Sequence, residues 1–455
     1  HRDLHSFPTR RSSDLMYSKL GSNSSLLPLA IKDVANSVGI TAGSYVTGKD
    51  VESKDRFIDE FGTQAIWLGG IPFYKGIANV SLYKLAGIDP KFDPRNINYI
   101  NKLKKGTAEE KKQAEEFAKL LLEKTPENLK KSVENALSKP NLVKNLSLIK
   151  FGVSTALAIA TYMGLTKYRQ HYRLEEEKKQ LSALDEFKKG EQERAELHKT
   201  PQAFQGVHNK KGISFTGGLQ DFMFNPVKNL MLLDGAITEE RLRSSESKQE
   251  FINYSIKEGG TWAFMYFAGP IFQKFFERKA MEKHNIPINF DSRIIESADL
   301  EKSLKNGSLK NSIAEFEKLG EKPSDLAIYK FIHENPDNVL VQMAKKADII
   351  STLDKEGTID TRAFFDIQDF KDLKDRMNKL SDASTDKDID KFIKTVRKLK
   401  RGSIIKNMGI CIAALGVGVP LLMIASRYLI PNNREYKVKE AAAQQLAQQK
   451  TLANA

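Results

Sequence analysis

Two long apolar runs interrupt an otherwise polar chain. Residues 407–426 read NMGICIAALGVGVPLLMIAS, with no charged position. At ~1.5 Å per residue, such a helix covers the ~30 Å hydrocarbon core of a bilayer. Pro420 is compatible with a membrane helix, and the run lacks the polar stripe of a surface helix. The second run, 146–165, is uncharged from Phe151 onward. Lys150 lies near one end, in reach of the interface. Tyr162, Tyr168 and Tyr172 crowd the other end, where an aromatic belt would sit. Both runs are predicted to be transmembrane helices.

Two weaker segments, 62–83 and 260–276, are aromatic and contain a central proline and an internal lysine. They hold the only two tryptophans, Trp67 and Trp262. A kinked span, an interfacial helix and a soluble core helix all fit this pattern.

The polar regions 89–145 and 278–403 follow the weak segments and read as helical. Thr107 and Glu110 form a capping box before an amphipathic run with Phe117, Leu120, Leu121 and Leu122. Thr125-Pro126 reads as an N-cap with proline at the first helical position. Ser324-Asp325 opens another helix, and one more is expected near Asp360, through Phe364, Phe365, Ile367, Phe370 and Leu373. No sustained alternation of period two occurs, so the predicted class is all-α.

The pattern repeats. A shift of 198 residues brings Gly62, Thr63, Ala65 and Pro72 onto Gly260, Thr261, Ala263 and Pro270. The same shift brings Ile88, Phe92, Asp93, Arg95 and Ile97 onto Ile286, Phe290, Asp291, Arg293 and Ile295. Weaker echoes keep the same order along the chain, and that order carries the argument for a tandem duplication. The expected organisation is a first repeat over 16–170 and a charged helix and linker over 171–225. A second repeat follows over 226–430, then a tail over 431–455. Each repeat holds a weak segment, a polar helical region and a strong span.

Aligning the strong spans exposes a stripe of small residues. Gly152, Ala156, Ala160 and Gly164 recur every four positions, and Ala414 and Gly418 stand opposite the first two. Small residues at this spacing let helices approach closely in lipid, so these helices are expected to pack on each other or on a partner. The duplicated Phe-Asp-x-Arg motif, Asp93 with Arg95 and Asp291 with Arg293, reads as a charge pair or lipid-headgroup contact, or as a helix N-cap in a turn.

Residues 1–15, HRDLHSFPTRRSSDL, resemble the translation of a sequencing adapter, and Met16 is the expected start. The opening HRDL copies a kinase catalytic loop, but no Gly-rich loop precedes it and no kinase is expected.

Composition narrows the chemistry. The 455 residues carry 72 Lys+Arg against 58 Asp+Glu, a net charge of +14. One cysteine excludes a disulfide framework and a Cys-based zinc site. Beyond residue 15 the histidines are His171, His198, His208, His284 and His333, with no pair at helical metal spacing. Asp354–Asp360 imitates a calcium loop but has Phe365 at its twelfth position. No phosphate loop, dinucleotide fingerprint or nucleophile elbow is present. No catalytic residue, metal or cofactor is therefore expected, and the chain reads as no enzyme.

Acids are interspersed with the basic residues, which argues against nucleic acid as a partner. Lys391, Lys394, Arg397, Lys398, Lys400, Arg401 and Lys406 crowd the last span, which suits a cytoplasmic flank and anionic lipid headgroups. The leading expectation is a multi-pass membrane protein acting as a non-enzymatic scaffold or membrane organiser, with a homo-oligomer or membrane partner. The alternative is a transporter or channel built from parallel repeats. Few polar groups face a plausible pore, which counts against the alternative.

Overall fold

The computed structural model describes residues 12–22, 25–46, 50–186, 225–245 and 248–429. Most of the adapter-like string, the linker beyond residue 186 and the tail lie outside the described residues. In chain order the helices begin with α1 (Ser12–Leu20), α2 (Leu27–Val46), α3 (Asp50–Ala65), α4 (Ile71–Ala78) and α5 (Lys84–Ala86). Then come α6 (Arg95–Lys104), α7 (Ala108–Glu123), α8 (Glu127–Ser138) and the long α9 (Pro140–Glu186). Beyond the linker follow α10 (Pro226–Arg243), α11 (Lys248–Thr261), α12 (Ala268–His284), α13 (Ser292–Ile295) and α14 (Ala298–Lys305). The last are α15 (Ser308–Glu317), α16 (Asp325–Glu334), α17 (Val339–Lys346), α18 (Ile367–Ser384), α19 (Ile389–Ala413) and α20 (Val419–Leu429). Among the described residues the sole extended pairing is a bridge between Thr352 and Ile359, so the all-α expectation holds.

Three prolines mark where long helices change pitch. Pro72, Pro270 and Pro420 have no N–H to give the carbonyl four residues back, on Leu68, Tyr266 and Gly416 respectively. Each of those carbonyls lies inside a π-helical segment: Ile66–Gly70, Trp262–Phe267 and Ala414–Gly418. The chain responds by bonding five residues back. The N–H of Ile71 reaches Ile66, that of Ala268 reaches Ala263 and that of Val419 reaches Ala414. α3–α4, α11–α12 and α19–α20 are thus continuous rods with a local bulge.

The chain divides into two units. The first contains residues 1–28, 75–152 and 270–408. One hydrophobic core runs through it, joining Phe92, Phe117, Leu121 and Val133 to Ile294, Leu309, Ile332, Met343, Phe370 and Val396. The polar regions 89–145 and 278–403 therefore build a single core.

Local signals in this unit are partly as expected. Thr107 and Glu110 close the capping box, and Ser324 caps α16 through the N–H of Ala327. Thr125 does not cap α8. Pro126 occupies the cap position, while the Thr125 hydroxyl donates back to the carbonyl of Leu121 at 2.6 Å. The helix expected near Asp360 begins later, at Ile367, with Asp366 as its cap.

Asp360 instead builds a third copy of the duplicated turn. In each copy the carboxylate accepts the N–H of the arginine two residues on: Arg95 to Asp93 at 2.9 Å, Arg293 to Asp291 at 2.9 Å, Arg362 to Asp360 at 3.0 Å. The same arginine folds back, and its terminal nitrogen meets the second carboxylate oxygen at 2.7, 2.9 and 2.8 Å. The first and third turns join, because the carbonyl of Arg362 accepts the N–H of Asp93 at 2.8 Å. Each turn closes an ion pair within itself on a buried carboxylate. Asp291 also caps a helix, whereas Pro94 holds the cap position of α6 and no helix starts at Asp360.

The basic run before the last span is largely paired within this unit. Lys400 meets Glu277 at 2.9 Å, Arg401 meets Glu296 at 2.5 Å and Arg397 meets Glu301 at 3.0 Å. Lys150 is also engaged, donating to the carbonyl of Pro90 at 3.3 Å.

His333 gives this unit a pH dependence. It packs on the Tyr329 ring at 4.5 Å, and its Nε2 has no hydrogen-bond partner among the described residues. Burial, with Lys124 and Lys345 nearby, pushes its pKa down from 6.5 to about 4. The unfolded chain therefore takes up the proton first as pH falls. Stability is full above about 6.5 and is lost through about 4, by on the order of 2–3 kcal/mol. Hydrogen exchange of core amides such as Ile332 between pH 7 and 4 should follow this loss. His333→Gln should flatten it, and an equally steep profile in that variant would refute the assignment.

Candidate functional site: a buried ionic centre

The second unit comprises residues 29–74, 153–269 and 409–455. Its helices bury their polar faces. On α2 the inward residues include Lys32, Asn36, Ser37 and Ser44, while Val34, Val38, Tyr45 and Val46 face outward. On α3, Asp55, Arg56, Asp59, Glu60, Thr63 and Gln64 are buried and Phe57 is half exposed. On α11, Asn253, Lys257, Glu258 and Thr261 are buried and Phe251 is exposed. This inverts the arrangement of a water-soluble bundle.

The inward charges form one network around Asp59, which is fully buried. Its Oδ1 meets Arg169 at 2.8 Å and Arg241 at 3.2 Å, and accepts the Tyr162 hydroxyl at 3.2 Å. Lys257 stands 3.8 Å from its Oδ2. Lys257 also meets Glu60 at 2.5 Å and Glu258 at 3.3 Å. Arg241 bonds Glu258 at 2.6 Å and the Thr63 hydroxyl at 3.1 Å. Arg169 extends the network to Asp55 at 2.8 Å and to the Tyr254 hydroxyl at 3.1 Å. Removing a charge from water costs several kcal/mol, so each ion here depends on its partners.

Beside the network lies a cavity of about 20 Å³, room for one water molecule. Asn36, Glu60 and Thr63 line it, and so do Asp234, Glu258 and Thr261. Glu60 and Thr63 are related to Glu258 and Thr261 by the shift of 198 residues. Asn36 donates to Thr261 at 3.2 Å, but its Oδ1 has no hydrogen-bond partner among the described residues although Asn36 is 1% exposed. One more carboxyl lines the cavity, that of Asp33. The Tyr266 hydroxyl donates to Asp234.

Among the residues singled out in the sequence, Thr63 and Thr261 belong to this site. The aligned acids Glu60 and Glu258 continue the same register and were legible on that signal. Tyr162 lies in the network, not in an outer belt. The small-residue stripe is elsewhere. Gly152, Ala156, Ala160 and Gly164 lie exposed on α9, with open space at both glycines. Ala414 and Gly418 are partly buried, and neither stripe covers the other. Close approach is made by glycines that the sequence did not single out for packing: a Cβ on Gly39 would lie 2.2 Å from the carbonyl oxygen of Gly416. Gly62 and Gly260 are similarly tight against Leu165 and Val419. Among the described residues no group of three or more His, Cys, Asp and Glu could hold a metal ion. No family model matches the chain, and no curated protein or solved structure is detectably similar to it.

Proposed function

We propose that the chain is a multi-pass membrane protein of two related halves that carries an ion across the bilayer through its buried ionic centre. The single observation behind this reading is the cavity lined by two residue pairs of one register, 60/258 and 63/261, together with Asn36 and Asp234. Carriers built from repeats bind their cargo where the repeats meet. Ionisable groups enclosed by apolar-surfaced helices are costly, and they mark ion pathways by default. The network supplies the polar groups whose scarcity weighed against a transporter. Among the described residues two helical stretches are long and apolar enough to cross a membrane, Pro140–Arg173 and Ile389–Leu429. Only 17% and 33% of their apolar windows are buried, whereas the core helix of a soluble protein would be mostly buried.

The full chain in sealed vesicles should pass an ion above the protein-free background, and Glu60→Gln with Glu258→Gln should lower that flux at least tenfold. No flux for proton, sodium, potassium or chloride would sink the reading. Topology is a separate test. Cys411 is the only cysteine, so a Cys411→Ala background admits single labels at Lys112→Cys and Lys318→Cys, both exposed. Both belong to the unit with one shared core, so an impermeant thiol reagent should reach both from the same side. Labelling from opposite sides would refute the arrangement.

A scaffold or membrane organiser without enzymatic activity is the second reading. The uncovered face of Gly152, Ala156, Ala160 and Gly164 favours it, since a partner helix or a second copy fits such a face in lipid.

A further inference from the structure

We infer that the ion handled by this centre is the proton, carried on Asp33 and Asp234 and relayed by one water in the cavity between them. This rests on the carrier reading above and names its cargo. The cavity, at about 20 Å³, admits one water and excludes organic molecules and hydrated metal ions. Its wall mixes the cations Lys257 and Arg241 with the carboxyls of Asp33, Glu60, Asp234 and Glu258, and among the described residues no group of three or more His, Cys, Asp and Glu could hold a metal ion. A proton needs no such cage, because a single carboxyl holds it.

The partners point the same way. Glu60 and Glu258 are each paired with a cation, at 2.5 Å to Lys257 and 2.6 Å to Arg241. Asp33 has no ion pair or hydrogen bond among the described residues, and Asp234 is bonded by a neutral hydroxyl, that of Tyr266. Both carboxyls are partly withdrawn from water, and the nearby cations Lys257 and Arg241 are engaged by Glu60, Asp59 and Glu258. A carboxylate withdrawn from water without a direct ion pair gains by taking up a proton. The unpartnered Oδ1 of Asn36, at the cavity wall, is an acceptor for the O–H of the relay water. In the transfer, the carboxyl O–H of Asp33 breaks as its proton joins the water. A different water O–H breaks as its proton joins the carboxylate of Asp234. The water is regenerated, and one positive charge has moved from Asp33 to Asp234.

The test uses the full chain in sealed vesicles with an internal pH dye, a potassium gradient and valinomycin to set the potential. Protein-dependent proton entry is expected, reduced at least tenfold by Asp33→Asn and by Asp234→Asn but not by Asp382→Asn, an exposed acid. Sodium entry is followed in the same vesicles with a sodium dye. Sodium flux without proton flux would overturn the inference and leave the carrier reading standing, and silence for every ion would overturn both. Proton flux unchanged by the two variants would also overturn it. Should a variant fail to fold, infrared spectroscopy of the unaltered protein decides the matter. A protonated-carboxyl band that titrates with pH is expected, and its absence refutes the proposal.

Discussion

Asp59→Ala should destabilise the second unit by about 3–5 kcal/mol, the range for breaking a buried ion pair by removing one partner. The carboxylate is fully buried and touches Arg169 at 2.8 Å and Arg241 at 3.2 Å, with Lys257 at 3.8 Å. Its removal leaves three cations short of one shared counter-ion. Arg169 retains Asp55 and Arg241 retains Glu258, which holds the effect within this range instead of several times it. Asp59→Asn should cost nearly as much, since it keeps the volume and loses the charge. The tryptophans report directly, because Trp67 and Trp262 are the only ones in the chain and both lie in this unit. Fluorescence-detected unfolding in detergent should show the drop. Pairing Asp59→Ala with Arg241→Met should cost less than the sum of the single changes, since one unanswered cation is gone. A loss below about 0.5 kcal/mol for Asp59→Ala, typical of a neutral surface change, would mean that the network is not closed as described.

What the sequence discloses follows from how local each feature is. The runs 146–165 and 407–426 need only length and apolarity, and both lie within long helical stretches. The capping box at Thr107 and the turns at Asp93 and Asp291 are four residues or fewer, so they are readable. The third turn, Asp360 with Arg362, was open to the same reading but follows isoleucine instead of phenylalanine. The ionic centre was hidden for a physical reason. A period of 3.6 tells that a helix has two unlike faces, not which one turns inward. α2 and α3 mix apolar and polar positions, and most of the buried ones are polar. The cationic partners of Asp59, Arg169, Arg241 and Lys257, lie 110 residues or more away, a separation that no local pattern encodes. Only the shift of 198 residues crosses that distance, and followed through Glu60 and Glu258 it leads to the cavity wall.

Gly39→Leu should disrupt the packing of α2 against the segment before α20, while Gly152→Leu should leave the folded chain unaltered within about 0.5 kcal/mol. The contrast comes from what each new side chain meets. At Gly39 a Cβ would fall 2.2 Å from the carbonyl oxygen of Gly416 and 2.7 Å from its carbon. Those are backbone atoms and cannot swing aside. Pro420 is the reason the carbonyl is there, since it removes the N–H that would have bonded Gly416 within the helix. At Gly152 a Cβ would meet nothing within 4 Å among the described residues beyond the backbone of its own helix. Alanine separates the opposing contributions. It favours a helix by about 1 kcal/mol over glycine, so Gly152→Ala should stabilise slightly. At Gly39 the same gain is opposed by overpacking of about 1–3 kcal/mol, and an approach of 2.2 Å lets the clash win. Thermal unfolding followed by tryptophan fluorescence should rank the variants Gly152→Ala, unaltered chain, Gly39→Ala, Gly39→Leu, from most to least stable. If Gly39→Leu unfolds with the unaltered chain, the close approach of Gly39 to Gly416 is absent. If Gly152→Leu changes the molecular mass of the detergent complex without changing its unfolding, the exposed stripe is occupied by a second copy of the chain.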